Sequence, residues 1–402
     1  MPPTLSGILG ATLIITDQFN STLSTPLPPS ESQSNNVNSN NPAPLPLPLL
    51  SASAAALKAQ TTKLSLLAVN TPFTPSALIT VLSTVNESIL PSLVTAALLT
   101  VPAEYTQAFH AEAKLLVKDA LREFGSLVGV VKVIANGGGS GDEGKGVTVT
   151  EQQKGEVMSC TGRLWKACEQ LVSFAEGGVV GFVAGKARQY LELVRDGIRE
   201  LEEWDPEEDG DDDEDDLFWD HGDKLEGKGK EEEKDKANDE NNDDEETTSS
   251  IANLQSEKSN LLRLLNPIAQ IYPAIISHRL KSKTSPSSST PNDQEQNHQP
   301  NPQLSSTQLS QLNRLLQHLK ELPSLVDEAA GSLYDHDIDN AIMYTKQLCK
   351  CAFSAAEAAR SPFIENANGE KEIAGGEDKF PKWADTWMRV IDGITSSKAE
   401  GS

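Results

Sequence analysis

The sequence has few aromatic residues, few cysteines and almost nothing that could form a β-sheet. Phe, Trp and Tyr make up 5% of the 402 residues, and the only clean alternating stretch, VTVT at 147–150, is too short to build a sheet. The four cysteines, Cys160, Cys168, Cys349 and Cys351, are too few for a disulfide framework in a chain of this length. We therefore expect free thiols in a reducing compartment and a fold that is built without sheets.

Positive charge and long apolar runs are also scarce. The chain has 34 Lys and Arg against 59 Asp and Glu, a formal net charge of -25. Residues 202–246 hold 25 acidic residues and 5 lysines, a balance of 5 − 25 = −20. Most of the net negative charge of the chain therefore lies in this one segment. Such a chain would repel nucleic acid and anionic membranes, and we expect it to bind neither directly. We find no run of roughly 20 apolar residues that would predict a membrane span, and no basic start before residues 5–15 that would predict a signal peptide.

Three polar, low-complexity segments divide the chain. Each has too few apolar residues to offset the entropy cost of ordering it. They are the Pro/Ser/Asn-rich residues 25–48, the acidic residues 205–250 and the Pro-rich residues 282–303. The predicted organisation is therefore an N-terminal segment at 1–44 with a short helix and then low complexity, a first helical bundle at 45–204, an acidic disordered linker at 205–250, and a second bundle at 251–398 with a disordered insertion at 282–303.

Apolar residues recur at steps of three and four through both predicted bundles, which is the spacing of one face of a helix. The clearest stripes are Val117, Leu121, Phe124, Val128 and Val131; Val183, Ala187, Tyr190, Val194, Ile198 and Leu201; and Leu309, Leu312, Leu316, Leu319, Val326 and Leu333. Pro267, Pro273 and Pro323 fall inside such stripes, where we expect helices to kink or break. The predicted fold class is all-α, with two antiparallel helical bundles.

A glycine-rich loop at 137–146 gives the strongest imitation of an enzyme motif. Residues 139–145 fit G-x-x-x-x-G-K, the outline of a phosphate-binding loop. That loop also needs Ser or Thr after the lysine to hold magnesium, and here Gly146 follows Lys145. We interpret the stretch as a flexible connector between helices.

Two further patterns resemble metal sites but lack required ligands. The series Asp335, Asp337 and Asp339 copies the start of a calcium loop, yet the position for the bidentate Glu is Lys346. We expect instead that an aspartate here caps the following helix.

Cys349 and Cys351, with His318 and His336 nearby, suggest zinc, but residues two apart on a helix face away from each other. We expect buried core thiols. The sequence therefore predicts a non-enzymatic protein with no catalytic, cofactor-binding or metal-binding residues, and with no cofactor.

The stretch RELEEWDPEEDGDDDEDDLFWD at 199–220 marks the end of the first predicted bundle. Pro206 disfavours helix at the residue before it, so the helix should end near Trp204. Trp204, Phe218 and Trp219 flank the carboxylates and are predicted linker anchors that hold the chain on apolar surfaces. The acidic run is either a solvated linker or a surface that attracts a basic partner such as a histone tail.

A family resemblance appears at TGRLWKACEQLVSF, residues 161–174. Its core of Thr161, Gly162, Trp165, Ala167 and Cys168 resembles the cyclin-D-binding protein family (GCIP-like, cyclin-D-interacting protein). The next helix, VAGKARQYLELVRDGIRELEEW at 183–204, and the acidic loop after it continue the resemblance, as do residues 309–359 and the helix with Trp383 and Trp387.

The resemblance implies two helical bundles similar to those of vinculin and α-catenin, in which the motif residues have a structural role. It also implies a non-enzymatic protein-binding regulator that engages D-type cyclins or helix-loop-helix regulators and modulates cell-cycle progression or transcription in the nucleus and cytoplasm. The alternative that the residues leave open is an acidic chaperone or scaffold for basic nuclear proteins, acting through residues 205–246. The oligomeric state cannot be read from the sequence.

Overall fold

The structure of the chain, a computed structural model, describes residues 4–25, 45–70, 72–137, 149–207, 243–281, 304–363 and 378–399. Its helices are α1 (Leu5–Ser24), α2 (Pro46–Val69), α3 (Pro75–Thr84), α4 (Leu90–Leu99), α5 (Pro102–Tyr105), α6 (Gln107–Gly137), α7 (Glu151–Glu203), α8 (Asp243–Ala269), α9 (Ile271–Arg279), α10 (Ser306–Tyr334), α11 (Ile338–Ala358) and α12 (Lys379–Ala399). A π-helical turn, Val85–Ile89, joins α3 to α4. These residues include no strand, which confirms the all-α prediction.

The chain divides into two compact units. Unit 1 comprises Met1–Val183 and Ser282–Asn313, and unit 2 comprises Ala184–Lys281 and Arg314–Ser402. The division therefore falls inside α7, whereas the sequence placed the end of the first bundle at residue 204. Most of the predicted acidic linker, the insertion at 282–303 and most of the glycine loop lie outside the described residues.

Unit 1 is built around the apolar faces of α1, α2, α4 and α6. The predicted stripe on α6 is fully buried from Val117 to Val131, and α6 packs against α1 while α2 packs against α4. The short N-terminal helix expected from the sequence is α1, which buries Leu9 and Leu23. The core also contains an aromatic cluster, in which the Phe109 and Phe174 rings stack with their centres 4.3 Å apart.

Hydroxyl side chains define where the long helices begin. Thr150 precedes α7 and forms a capping box with Gln153: the Gln153 amide donates to Thr150 Oγ1 at 3.2 Å, and the Thr150 amide donates to Gln153 Oε1 at 3.0 Å. Ser305 and Gln308 make the same reciprocal pair at the start of α10. These contacts satisfy backbone donors that the first turn of a helix would otherwise leave unpaired.

Helix α7 is interrupted at Gly178. This residue has φ 57° and ψ −161°, which lies outside the helical region and is accessible to glycine but not to residues with a Cβ. The interruption separates the helical stretch with the family motif from the stretch that ends at Glu203, and the boundary between the units follows five residues later.

The second part of α7 contributes its apolar face to unit 2. Ile198 and Leu201 are buried, and the Trp204 ring meets the Tyr334 ring edge-on at 4.9 Å. Lys258 on α8 donates to the carbonyl oxygens of Glu202, at 3.2 Å, and Trp204. These contacts give a physical reason for the boundary inside α7, because the partners of Glu202 and Trp204 lie on α8 and α10. Both described ends of the acidic segment thus lie in unit 2.

The three internal prolines have different outcomes. Helix α8 ends at Ala269, two residues after Pro267, and Pro273 lies in the first turn of α9. Helix α10 continues through Pro323 without a break, so the break considered there is wrong. The Pro267 carbonyl is used elsewhere: it accepts a hydrogen bond of 2.7 Å from the Trp387 indole on α12.

Within the part of the chain that the structure describes, two stretches are long and apolar enough to cross a membrane when only length and composition are considered. They are Pro75–Leu99 and Glu151–Glu203, in whose most apolar windows 44% and 50% of residues are buried in the protein. The sequence led us to expect no such stretch. Helices that line the core of a bundle meet the same criterion, and Leu82, Leu93 and Leu164 are fully buried.

Candidate functional site

The family motif on α7 divides between the core and the surface of unit 1. Thr161, Ala167 and Cys168 are buried, as expected for structural residues. Trp165 is 37% exposed, and Gly162, one turn before it on the same helix, is also exposed. The motif therefore has an interior face and a surface face, and only the interior face is accounted for by packing.

Two contacts fix the motif against α2. The hydroxyl oxygens of Ser65 and Thr161 lie 2.5 Å apart in the core, and Thr161 Oγ1 donates to the Val157 carbonyl at 2.6 Å. Since Thr161 has a single hydroxyl proton, Ser65 is the donor to Thr161. At the surface, Lys58 Nζ pairs with Glu169 Oε1 at 2.7 Å. Residue 58 meets 169 and residue 65 meets 161, so the two helices run antiparallel.

A shallow groove follows the line where these helices meet. Small side chains on α2 and the second half of the motif helix form it; its lining is Ala55, Lys58, Ala59, Thr62, Cys168, Glu169, Val172, Ser173 and Glu176. Beyond Thr62, Leu66 is 54% exposed on α2, and Met158 is 63% exposed on α7. Met158 precedes Trp165 by two helical turns and shares its side of the helix. We call this surface, which comprises the groove lining together with Trp165, Leu66 and Met158, the α2/α7 face.

Lys58 connects the charged and aromatic parts of the α2/α7 face. Its Nζ lies 6.0 Å from the centre of the Trp165 ring while it pairs with Glu169, at the outer limit of a cation–π contact. The exposed ion pair contributes little to stability, because water screens it. Lys58 and Glu169 can therefore exchange partners with an approaching protein at small cost.

The thiol at the floor of the groove is chemically inert. Burial raises the pKa of Cys168 to about 12, and the neighbouring Lys58 lowers it only in part. Because the thiolate is the reactive form, Cys168 is a poor nucleophile at neutral pH. This favours recognition over chemistry at the α2/α7 face.

The predicted linker anchors are described only in part. Trp204 is half-buried against Tyr334, with Lys258 Nζ 6.0 Å from its ring centre. The helix ends at Glu203, as Pro206 led us to expect. Phe218 and Trp219 lie outside the described residues, so their role as anchors stays a prediction.

The patterns that resembled metal sites have separate outcomes. Asp337 is the N-cap of α11, and its side chain accepts from the Asn340 amide at 3.0 Å, which confirms the expected helix cap. Cys349 and Cys351 are buried in unit 2, as expected of core thiols. The structure also places His318 beside Cys351, with Nδ1 4.0 Å from Sγ.

Sequence reasoning missed the surface character of Trp165. The core stripe of the motif helix runs through Val157, Leu164, Cys168 and Leu171, all buried. Trp165 stands one position off that stripe, and this offset was the available signal. The exposure of Leu66 had no such signal, because α2 is apolar around most of its circumference.

Part of the chain matches a known protein family. Residues 49–207 match the family model described as Grap2 and cyclin-D-interacting, N-terminal, which confirms the resemblance to a GCIP-like family. The matched range includes both helices of the α2/α7 face. It ends before α8, so the resemblance over residues 309–359 stays a prediction. No curated protein shows significant sequence similarity to the chain.

Proposed function

We propose, from the match of residues 49–207 to the GCIP-like family model, that this chain is a non-enzymatic protein-binding regulator whose α2/α7 face receives a helix of its partner. The partners implied by the family are D-type cyclins or helix-loop-helix regulators. Binding them would modulate cell-cycle progression or transcription in the nucleus and cytoplasm. The observation that carries the proposal is the exposed Trp165 within the family motif.

The composition of the α2/α7 face suits a helical partner. Trp is enriched among residues that dominate the energy of protein interfaces, particularly where it lies near the centre of a patch. Leu66 and Met158 extend the apolar surface on either side of the helix contact, and both are more than half exposed. An amphipathic helix would place its own apolar residues, spaced by three and four, along such a groove.

The charges of the face would set the orientation of the bound helix. Lys58 lies on α2 and Glu169 lies opposite it on α7, so the groove presents one positive and one negative wall. A partner helix with an acidic residue on one flank and a basic residue on the other would match it. Charge complementarity of this kind contributes more to specificity and association rate than to affinity.

The test is binding of purified D-type cyclin, and separately of a helix-loop-helix region, to full-length protein and its Trp165→Ala variant. We expect Trp165→Ala to weaken binding at least tenfold, since interface residues of this type contribute about 2 kcal/mol or more. The matched control is Leu115→Ala. Leu115 is another exposed apolar residue of unit 1, at 51% exposure, but it lies on α6, outside the α2/α7 face. Circular dichroism should show the same helix content for both variants.

Unchanged affinity of the Trp165→Ala variant for both partners would reject the α2/α7 face as the binding surface. Equal losses for Trp165→Ala and Leu115→Ala would point to a general effect on unit 1. The double variant Lys58→Glu, Glu169→Lys keeps an ion pair between α2 and α7 but places the negative charge on α2 and the positive charge on α7. If charge orients the partner, this double variant binds more slowly than the wild type.

The alternative, an acidic chaperone or scaffold for basic nuclear proteins, rests on the charge of residues 205–246. The two functions separate if the carboxylates of 208–242 are replaced by the corresponding amides. The replaced range leaves Glu207 in place, which accepts from Gln255 Nε2 at 2.8 Å and helps to hold the described end of the segment. A chaperone would lose histone-tail binding, whereas a binder that uses the α2/α7 face would retain its cyclin or helix-loop-helix partner.

A further inference from the structure

We propose that His318, Glu321 and Cys351 of unit 2 form a binding site for a single Zn²⁺ ion. The three side chains offer one nitrogen, one oxygen and one sulfur, and these atoms all lie within 4.8 Å of one another. The site lies outside the family-matched range and does not depend on the function proposed for the α2/α7 face.

Two helices position the ligands. His318 and Glu321 are three residues apart on α10, so they project from the same side of that helix. Cys351 comes from α11, and its Sγ lies 4.0 Å from His318 Nδ1 and 3.8 Å from Glu321 Oε2. In a tetrahedral zinc site with ordinary bond lengths, such sulfur–nitrogen and sulfur–oxygen separations are about 3.6 Å. The two separations from sulfur exceed this value by only a few tenths of an ångström. The His318 nitrogen and the Glu321 oxygen, which lie within 4.8 Å of each other, would have to approach to about 3.3 Å.

The nature of the ligands selects the metal. A thiolate and an imidazole disfavour the hard cations Mg²⁺ and Ca²⁺, which prefer oxygen, whereas Zn²⁺ accepts sulfur, nitrogen and oxygen together. Burial falls from Cys351, which is 6% exposed, through the half-buried His318 to the exposed Glu321. The cluster therefore opens toward solvent on the Glu321 side, where water can provide the fourth ligand.

Metal binding would resolve an unfavourable electrostatic arrangement. Cys351 is 6% exposed and its Sγ lies 3.8 Å from the Glu321 carboxylate, so a thiolate there would be desolvated and would face a like charge. Without metal, the thiol lies 3.4 Å from the His318 carbonyl, to which it donates. A divalent cation would neutralise the thiolate and the carboxylate together, so each zinc bound at neutral pH would displace the thiol proton.

The expected consequence is a link between α10 and α11. Because the three ligands converge only in the folded unit, zinc would bind the folded state and raise the thermal midpoint of unit 2. The affinity should rise with pH, since the proton leaving Cys351 becomes easier to remove.

The test uses metal-free full-length protein titrated with Zn²⁺ in competition with a chromogenic chelator. We expect one zinc per chain. Cys351→Ser and His318→Gln should each reduce the affinity at least about 100-fold, since even loss of an outer partner costs 10- to 100-fold at metal sites. Cys349→Ser is the matched control, because Cys349 is also buried on α11 and lies outside the cluster. This variant should bind zinc like the wild type.

Cobalt provides a readout that does not depend on folding differences between variants. Co²⁺ bound through Cys351 should give a thiolate charge-transfer absorption in wild type and in Cys349→Ser, and none in Cys351→Ser. Glu321→Gln, an exposed substitution that should not disturb folding, should retain the absorption but bind zinc more weakly. Failure of the wild type to bind zinc, or equal loss in Cys349→Ser, would overturn the proposal.

Discussion

Arg279 and Asp378 form a two-pronged ion pair inside unit 2, with Nη1–Oδ1 at 3.1 Å and Nη2–Oδ2 at 2.7 Å. The guanidinium is almost completely buried, with a side-chain exposure of 3%. The guanidinium also donates to three carbonyl oxygens, those of His278 at 3.2 Å, Ala359 at 2.6 Å and Arg360 at 2.9 Å. The central carbon of the guanidinium lies 4.5 Å from the centre of the Phe380 ring. Asp378 also accepts from the Phe380 amide at the start of α12. One arginine thus joins the ends of three helices, α9, α11 and α12.

Removing the carboxylate should strongly destabilise unit 2. Asp378→Ala leaves a buried guanidinium without its counter-ion and α12 without its cap, so we expect unfolding to become easier by about 3–5 kcal/mol. Urea unfolding of full-length protein, followed by circular dichroism, measures the effect. Asp385→Ala is the comparison, because it breaks the exposed pair with Arg360 and should cost under about 1 kcal/mol. Similar costs for both variants would mean that burial of Arg279 contributes nothing.

The interruption of α7 makes Gly178 a position that no other residue suits. A Cβ at φ 57° and ψ −161° is strained, so Gly178→Ala should destabilise the protein by about 1–3 kcal/mol. Gly181→Ala is the matched control, since nothing lies within 4 Å of a Cβ built there and the backbone is helical. This control should stabilise by roughly 0.5–1 kcal/mol. Thermal midpoints of the two variants should therefore move in opposite directions, and a shared direction would contradict the strained geometry.

The hydroxyl pair of Ser65 and Thr161 should be energetically coupled. Thr161→Val removes the acceptor of a buried Ser65 proton and should cost about 1–3 kcal/mol. Adding Ser65→Ala removes that stranded donor, so the double variant should be no less stable than Thr161→Val alone. A double-mutant cycle from chemical unfolding measures the coupling. Strictly additive costs would show that the 2.5 Å contact is not a hydrogen bond that matters for stability.

The sequence predicted those parts of the fold that depend on local periodicity. The α6 stripe from Val117 to Val131 was readable because each buried residue is separated from the next by one helical turn. The helix end before Pro206 was readable because the reason for it lies within two residues of the event.

Features that depend on distant pairing were not readable. Arg279 and Asp378 are separated by 99 positions, and Cys351 and His318 by 33, so no spacing rule connects them. The division into compact units inside α7 has no local signal for the same reason: Ile198 and Leu201 have a core pattern, but the pattern does not say to which core they belong. For the candidate site, the sequence identified the motif but gave its residues a structural role, whereas the fold places Trp165 at the surface.

His110 should make the stability of unit 1 depend on pH. This side chain is 4% exposed, with Nδ1 3.3 Å from Thr100 Oγ1. Burial lowers its pKa from the ordinary value of 6.5, and the nearby Lys114 lowers it further. The folded protein thus takes up this proton less readily than the unfolded chain. Its contribution to stability is present above about pH 6.5 and is lost as the pH falls toward the lowered pKa.

The measurement that isolates this effect compares wild type with His110→Gln at several pH values between 7.5 and 5. Glutamine cannot become charged, so the variant should lose less stability than the wild type as the pH falls, even if it starts from a lower value at pH 7.5. The difference between the two unfolding free energies removes contributions from the other titrating groups, which both proteins share. Parallel pH profiles would show that His110 is protonated equally well in the folded and unfolded states.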